Sequence, residues 1–210
     1  FRFRIFCLVP LLFVGVCQLA GQDSTRVQYR FPSGEVSSEG WLVSGVPEGF
    51  WRSYHEDGIR KSEGNRSGGQ LEGEWIFYDA KGRVQTTLRY EQGAKQGEEI
   101  RWDTTGVQRR IRPWKADVLD GEERVLDDRG ILVGTIPWTA GVKEGVALEF
   151  ARDDAEGLGR IIKRSGYRDD LLRWVEEVNR FDDQGRKTGK WMTFWSNGRV
   201  REEGPWERGL

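Results

Sequence analysis

The chain has 210 residues, enough for one or two ordinary domains, and its 33 basic residues nearly balance its 34 acidic ones. An aromatic content of 12%, with ten tryptophans, excludes a disordered chain, because disordered chains are poor in aromatics. Twenty-eight glycines alongside 37% hydrophobic residues point to many short strands and turns.

The first segment, "FRFRIFCLVPLLFVGVCQLAGQ", has Arg2 and Arg4, an apolar stretch from Ile5 to Val16, and then small and polar residues. That pattern predicts a secretory signal peptide over residues 1–21, cleaved near Ala20 or Gly21. The apolar stretch is shorter than the roughly 20 residues that span a bilayer. A buried N-terminal helix or a retained anchor is the competing reading. The chain does not start with Met, so a few residues are expected to precede Phe1. Cys7 and Cys17 both fall in this segment, so the mature chain has neither a disulfide framework nor a thiolate metal site. Lipidation at Cys17 is an alternative, although Val16 stands where a lipoprotein signal takes a small residue. Cleavage removes two arginines and no acid, which leaves 31 basic against 34 acidic residues, a net charge of −3. A nucleic-acid binder or an anionic-membrane binder needs a basic face, and this balance argues against both.

Residues 22–210 repeat themselves. Gly49, Gly73, Gly97, Gly121 and Gly145 follow at steps of 24, and Gly189 resumes after 44. Five places after each stand Tyr54, Tyr78, Trp102, Leu126, Phe150 and Phe194. Nine places on stand Gly58, Gly82, Gly106, Gly130 and Gly198, with Asp154 the exception. Twenty places on stand Gly69, Gly93, Gly141 and Gly209. The irregular part is residues 151–187, with an insertion around "RDDAEGLG" and a shortened unit "WVEEVNRFDDQGRKTG".

One unit reads as a β-hairpin. Glu74–Tyr78 is a strand of β-formers, "DAKG" is a turn, and Val84–Tyr90 is the returning strand. Asp79 can bond its own backbone and Gly82 can take a positive φ. The turn recurs as "DTTG", "DDRG" and "DDQG". Side chains alternate along a strand, so Ile76 and Tyr78 share a face, as do Ile100/Trp102, Leu148/Phe150 and Met192/Phe194. This face is expected to be the apolar one, with Trp75 on its back. A lone hairpin is marginal in water, so each unit must bury its aromatics against its neighbours. Seven or so units, at about 4.8 Å per strand, predict a rod of roughly 70 Å.

The units "GFWRSYHEDG", "GEWIFYDAKG", "GEEIRWDTTG" and "GKWMTFWSNG" resemble the MORN repeat in its bacterial variant form. The resemblance covers nearly all of residues 22–210. It departs where Trp at the second place gives way to Glu99, Glu123 and Ala147. It implies an elongated meander of β-hairpins serving as a binding or scaffolding module, with an antitoxin-like role among bacterial members. Choline- and glucan-binding wall repeats look similar at "TGKWMTFWSNG", but their units are shorter and less charged.

Catalytic chemistry has little to stand on. His55, the only histidine, sits in the turn "YHEDG", where a solvated polar residue is the simpler reading than a base or ligand. The chain has no HExxH, CxxC or EF-hand spacing. The pairs Asp127–Asp128, Asp153–Asp154, Asp169–Asp170 and Asp182–Asp183 read as calcium ligands or a glycosidase-like pair, or more simply as turn-starting aspartates. "RRIR" at Arg109–Arg112 reads as an anion site or as a strand with solvated alternating charges.

The sequence therefore predicts an all-β fold, an elongated meander of stacked hairpin repeats after an N-terminal signal helix. The chain is expected to be exported, periplasmic or extracellular, and not an enzyme. No cofactor or metal is expected. The partner is another protein, or alternatively a cell-envelope glycan. The contact residues expected from the pattern are Trp51, Tyr54, Trp75, Tyr78, Trp102, Trp191, Phe194 and Trp195, since Trp and Tyr dominate interface energetics. Gly49, Gly58, Gly73, Gly82, Gly97, Gly106, Gly121, Gly130, Gly145, Gly189 and Gly198 are expected to shape the turns.

Overall fold

The structure is a computed structural model, and it describes residues 23–152, 159–195 and 199–206. The expected signal helix lies outside them. The described chain is all-β, an antiparallel meander of consecutive hairpins. Its strands are β1 (Ser24–Arg30), β2 (Val36–Val43), β3 (Val46–Tyr54), β4 (Arg60–Ser67), β5 (Gln70–Tyr78), β6 (Val84–Glu91), β7 (Ala94–Trp102) and β8 (Gln108–Lys115). They continue as β9 (Val118–Leu119), β10 (Gly121–Leu126), β11 (Leu132–Thr139), β12 (Val142–Lys143), β13 (Gly145–Phe150), β14 (Ile161–Arg168) and β15 (Leu171–Glu177). A separate three-stranded sheet follows, of β16 (Arg180–Phe181), β17 (Lys187–Phe194) and β18 (Val200–Trp206). The expected strands fall inside β5 and β6, which begin and end beyond them because pairing continues past the repeat glycine into the adjoining turn.

Two kinds of turn alternate, and each has its own chemistry. At one end of the hairpins the turns are four residues long. Asp79 N–H donates to Arg83 C=O (2.9 Å), Gly82 N–H donates to Asp79 C=O (2.9 Å), and the Asp79 carboxylate accepts from Lys81 N–H and Arg83 N–H. Asp103, Asp127 and Asp182 repeat this pattern. The repeated acids at Asp127 and Asp182 are therefore turn caps. His55 takes the same place in its turn, with its N–H on Ile59 C=O. At the other end, two-residue turns carry positive φ at both residues: Ser44–Gly45, Gly68–Gly69, Gln92–Gly93, Ala116–Asp117, Ala140–Gly141 and Asp169–Asp170. That is the geometry whose twist matches a β-hairpin.

The turn carboxylates make folding acid-sensitive. The Arg83 guanidinium and then the Arg83 N–H hold Asp79 at a pKa of about 2, and the Thr105 hydroxyl and then its N–H hold Asp103 at about 2. A depressed folded pKa gives stability that is complete above the unfolded value near 3.9 and lost as pH falls through the folded value. Urea denaturation between pH 5 and pH 2 should therefore show stability falling across about pH 4 to 2. Asp79→Asn with Asp103→Asn should flatten that fall. An unchanged pH slope would show that these turns do not hold the carboxylates in their charged form.

The repeat glycine bends each hairpin. Gly73 has φ 68°, a left-handed conformation that costs a side chain strain, and the pairing slips beside it: Gly64 faces Trp75 whereas Asn65 faces Glu72. In every unit this glycine lies directly across from the same place on the next strand. The pairs are Gly49–Arg66, Gly73–Tyr90, Gly97–Trp114, Gly121–Trp138, Gly145–Tyr167 and Gly189–Trp206.

The buried side of the sheet is not the expected one. The core consists of Trp51, Trp75, Leu88 and Tyr90, on the Trp side, with Phe77 packed against it. Ile76 and Tyr78 on the opposite side are only half-buried, because that side also carries Arg52, Arg60 and Glu63, which are joined in ion pairs. Trp75 lies flat over Gly64, where a Cβ would stand 2.5 Å from its ring. The glycine in the strand makes room for the tryptophan.

The meander is also interrupted. The turn after β13 is lengthened, so that Ala151 N–H donates to Arg160 C=O where Asp79 N–H donates to Arg83 C=O. Its middle, residues 153–158 with Asp153–Asp154, lies outside the described residues. The segment expected to be irregular supplies β14 and β15, paired with a register step between Gly166 and Tyr167, and it also holds the break. The real break comes at Asn179. Val178 N–H still donates to Ile162 C=O of β14, whereas Asn179 N–H donates to Lys190 C=O of β17. Ile161, Val178 and Met192 form a second core across the two sheets.

Candidate functional site

The Trp side of the sheet falls into three zones along the strand order, each set by what occupies equivalent places in successive units. The first is aromatic. Trp51 and Trp75 are 7% and 4% exposed, and the Arg66 guanidinium stands over both rings at 5.9 and 5.6 Å. Trp75 Nε1 donates to Asn65 C=O (2.8 Å).

The second zone is ionic. Where the Trp is replaced, Glu99 and Glu123 are 2% and 1% exposed. Glu123 accepts from Arg110 (2.7 Å), from Arg112 Nε (3.4 Å) and from Trp138 Nε1 (2.9 Å). Glu99 accepts from Arg101 Nε and from Trp114 Nε1 (2.9 Å). Each carboxylate thus replaces an indole, and the next aromatic donates to it. These bonds occupy Arg110 and Arg112 of the "RRIR" stretch, and Arg109 pairs with Asp103. The stretch is a structural network and not a free anion site.

In the third zone the repeat places hold small residues: Gly134 on β11, Ala147 on β13 and Ser165 on β14. A groove of about 440 Å³ opens there, walled by Val125, Ile136 and Tyr167 and edged by Glu149 and Arg152. The backbone of Thr135 also lines it; the Thr135 side chain, 4% exposed, is turned to the opposite side, across from Leu148, and among the described residues its hydroxyl has no hydrogen-bond partner. A buried polar group without a partner costs free energy unless something satisfies it. The volume lies within the range of ligand and side-chain pockets.

The expected contact residues are dispersed. Trp51 and Trp75 are packed into the sheet. Tyr54 and Tyr78 lie on the opposite side, donating to Glu39 (2.8 Å) and Glu63 (2.5 Å). Burial and then the Glu63 carboxylate push the Tyr78 hydroxyl above its ordinary pKa, and bonds from Gln28 and Tyr54 hold Glu39 below its own. Trp102 is half-buried beside Val84 and Thr87. Trp191 stands edge-on between Phe181 (5.2 Å) and Trp206 (6.5 Å), and Phe194 packs on the second core. Only Trp195 is freely accessible, at 55%. Reading the sequence for aromatics missed Gly134, Ala147 and Ser165. The signal was present as the alanine in the series Trp51, Trp75, Glu99, Glu123, Ala147.

Among the described residues, no group of three or more His, Cys, Asp or Glu is placed to hold a metal ion. No family model matches the chain, and no curated protein matches it.

Proposed function

We propose that this chain is an exported, non-enzymatic repeat protein of the MORN-variant kind, acting as a protein-binding or scaffolding module. The observation that carries this reading is the groove over Gly134, Ala147 and Ser165. One stretch of an otherwise filled sheet face is emptied of side chains, while its neighbours keep the sheet rigid on one side. An apolar side chain of a partner would fill the groove. The MORN resemblance adds an antitoxin-like role as one form such binding takes.

A pull-down with residues 22–210 as bait, read by mass spectrometry, tests the proposal. One protein should be enriched near stoichiometrically, and Ala147→Trp should release it with an unchanged melting curve. Retention by the filled variant would remove the groove from the interface, and the absence of any enriched protein would sink the protein-binding reading. A glycan-binding reading rests on the exposed indoles of Trp174 and Trp195, 41% and 55% accessible, although Arg164 and Arg201 already stand over these rings at 5.5 and 5.0 Å and a sugar ring would have to displace them or use the other face. Co-sedimentation with peptidoglycan distinguishes it.

A further inference from the structure

The long sheet has two end strands, β1 and β15, and every strand between them on its path is hydrogen-bonded on both sides. An end strand exposes a row of unpaired N–H and C=O groups that another strand can complete, and proteins ordinarily blunt such edges with charge. β1 is blunted in this way by charges of one sign, Arg26 and Arg30, which are exposed along it. β15 instead carries charges of both signs, Arg173, Glu176 and Glu177, among exposed apolar side chains. Its sequence is "LLRWVEE", and Leu171, Leu172, Trp174 and Val175 are 56%, 53%, 41% and 49% exposed. The edge exists because the chain leaves the meander at Asn179, so the hairpin that would have covered β15 pairs elsewhere.

We propose that β15 is a self-association edge, pairing antiparallel with β15 of a second copy about a two-fold axis through Val175. The charges of the strand select this partner and this register. With Val175 opposite itself, Arg173 lies opposite Glu177 of the partner subunit, and the reciprocal pair forms on the other side of the axis. Opposite charges directly across an antiparallel pair stabilise it, and like charges oppose it. Centring on Arg173 would set arginine against arginine, and centring on Trp174 would set both carboxylates against leucines and leave Arg173 facing Val175, whereas centring on Val175 leaves only Glu176 against an apolar residue, Trp174. A two-fold perpendicular to the sheet also keeps each face continuous across the junction. Arg173 is the extra residue at a step in the β14–β15 register, and from Trp174 to Glu177 the strand runs without a further step.

Sedimentation equilibrium of the full chain, over concentrations up to the order of 100 µM, tests this. The chain should dimerise. Arg173→Glu and Glu177→Arg should each weaken association at least tenfold, since each sets two like-charge pairs across the axis. The double variant, Arg173→Glu with Glu177→Arg, should restore it to within a few-fold. Both residues are exposed, and the pair Glu177 makes with Arg180 of its own chain (3.3 Å) is a surface one that contributes little, as does its place across from Lys163, so circular dichroism should report an unchanged fold in all three variants. A monomeric wild-type chain, single reversals that associate normally, or a double variant that stays weak would each overturn the proposal.

Discussion

Trp75→Ala should cost about 4 kcal/mol and lower the melting temperature by roughly 10 °C, the size of effect typical of a fully buried indole. Trp75 is 4% exposed and lies against a backbone that carries no side chain at Gly64. Truncation therefore leaves a slot that neither strand can close. It also leaves Asn65 C=O without the indole donor it has at 2.8 Å. Trp195→Ala is the matched control: that ring is 55% exposed and its removal should change stability by no more than about 0.5 kcal/mol. Differential scanning calorimetry of the two variants measures both. Equal losses would mean that the indole-on-glycine contact is not what holds the sheet. The reverse substitution makes the same point sterically. Gly64→Ala puts a methyl 2.5 Å from the ring of Trp75, so the ring must leave its site.

Asn179→Ala should detach the C-terminal sheet. The side chain donates to Ile161 C=O (3.0 Å) and accepts from Met192 N–H (2.6 Å), while the backbone C=O accepts from Arg160. The residue itself is 4% exposed and sits at φ 53°, a conformation that asparagine tolerates better than most residues. Alanine would strand two buried backbone groups and add left-handed strain, a combined loss of about 3 to 4 kcal/mol. The loss should be local. Amide hydrogen exchange should speed up by two or more orders of magnitude across β17 and β18, with β3 to β8 unchanged. Uniform loss of protection would show instead that the two sheets unfold as one unit. Asn179→Gly, which keeps the backbone conformation but not the side-chain bonds, separates the two contributions.

The period of 24 made the strands and the Asp-to-Gly turns legible in the sequence, because glycine and aspartate at fixed intervals constrain the backbone directly; the two-residue turns at the other end were not, since Ala116–Asp117 and Asp169–Asp170 take positive φ without glycine. The side that packs was not legible. Ile76 and Tyr78 read as apolar, but Tyr78 donates to Glu63, and the charges around it keep that side half-open. What decides the packing is the glycine directly across on the neighbouring strand, Gly64 under Trp75, a contact that no local pattern contains. The carboxylates at Glu99 and Glu123 looked like lapses of the repeat. They are compensated changes, since Trp114 and Trp138 fifteen residues later donate to them. The groove was the least visible feature, because it consists of what Gly134, Ala147 and Ser165 lack. The break at Asn179 falls in the unit that reads as shortened, "WVEEVNRFDDQGRKTG", but its form was not legible, because it is made by a hydrogen bond to Lys190 across the turn at Asp182–Gly185.

The order of the long sheet is the order of the chain, so each strand on its path pairs with its sequence neighbours. Contacts are therefore short in sequence, which is unusual for an all-β protein, where distant pairings ordinarily slow the search for the native state. A single hairpin closed by its Asp and Gly turns can act as a template, and the next can add to it without waiting for the far end of the chain to be synthesised. During translation, residues 24–91 can complete five strand pairings while later units are still unmade. The exception is Asn179, whose partners span Arg160 to Met192, so the last step of assembly is the one that must wait.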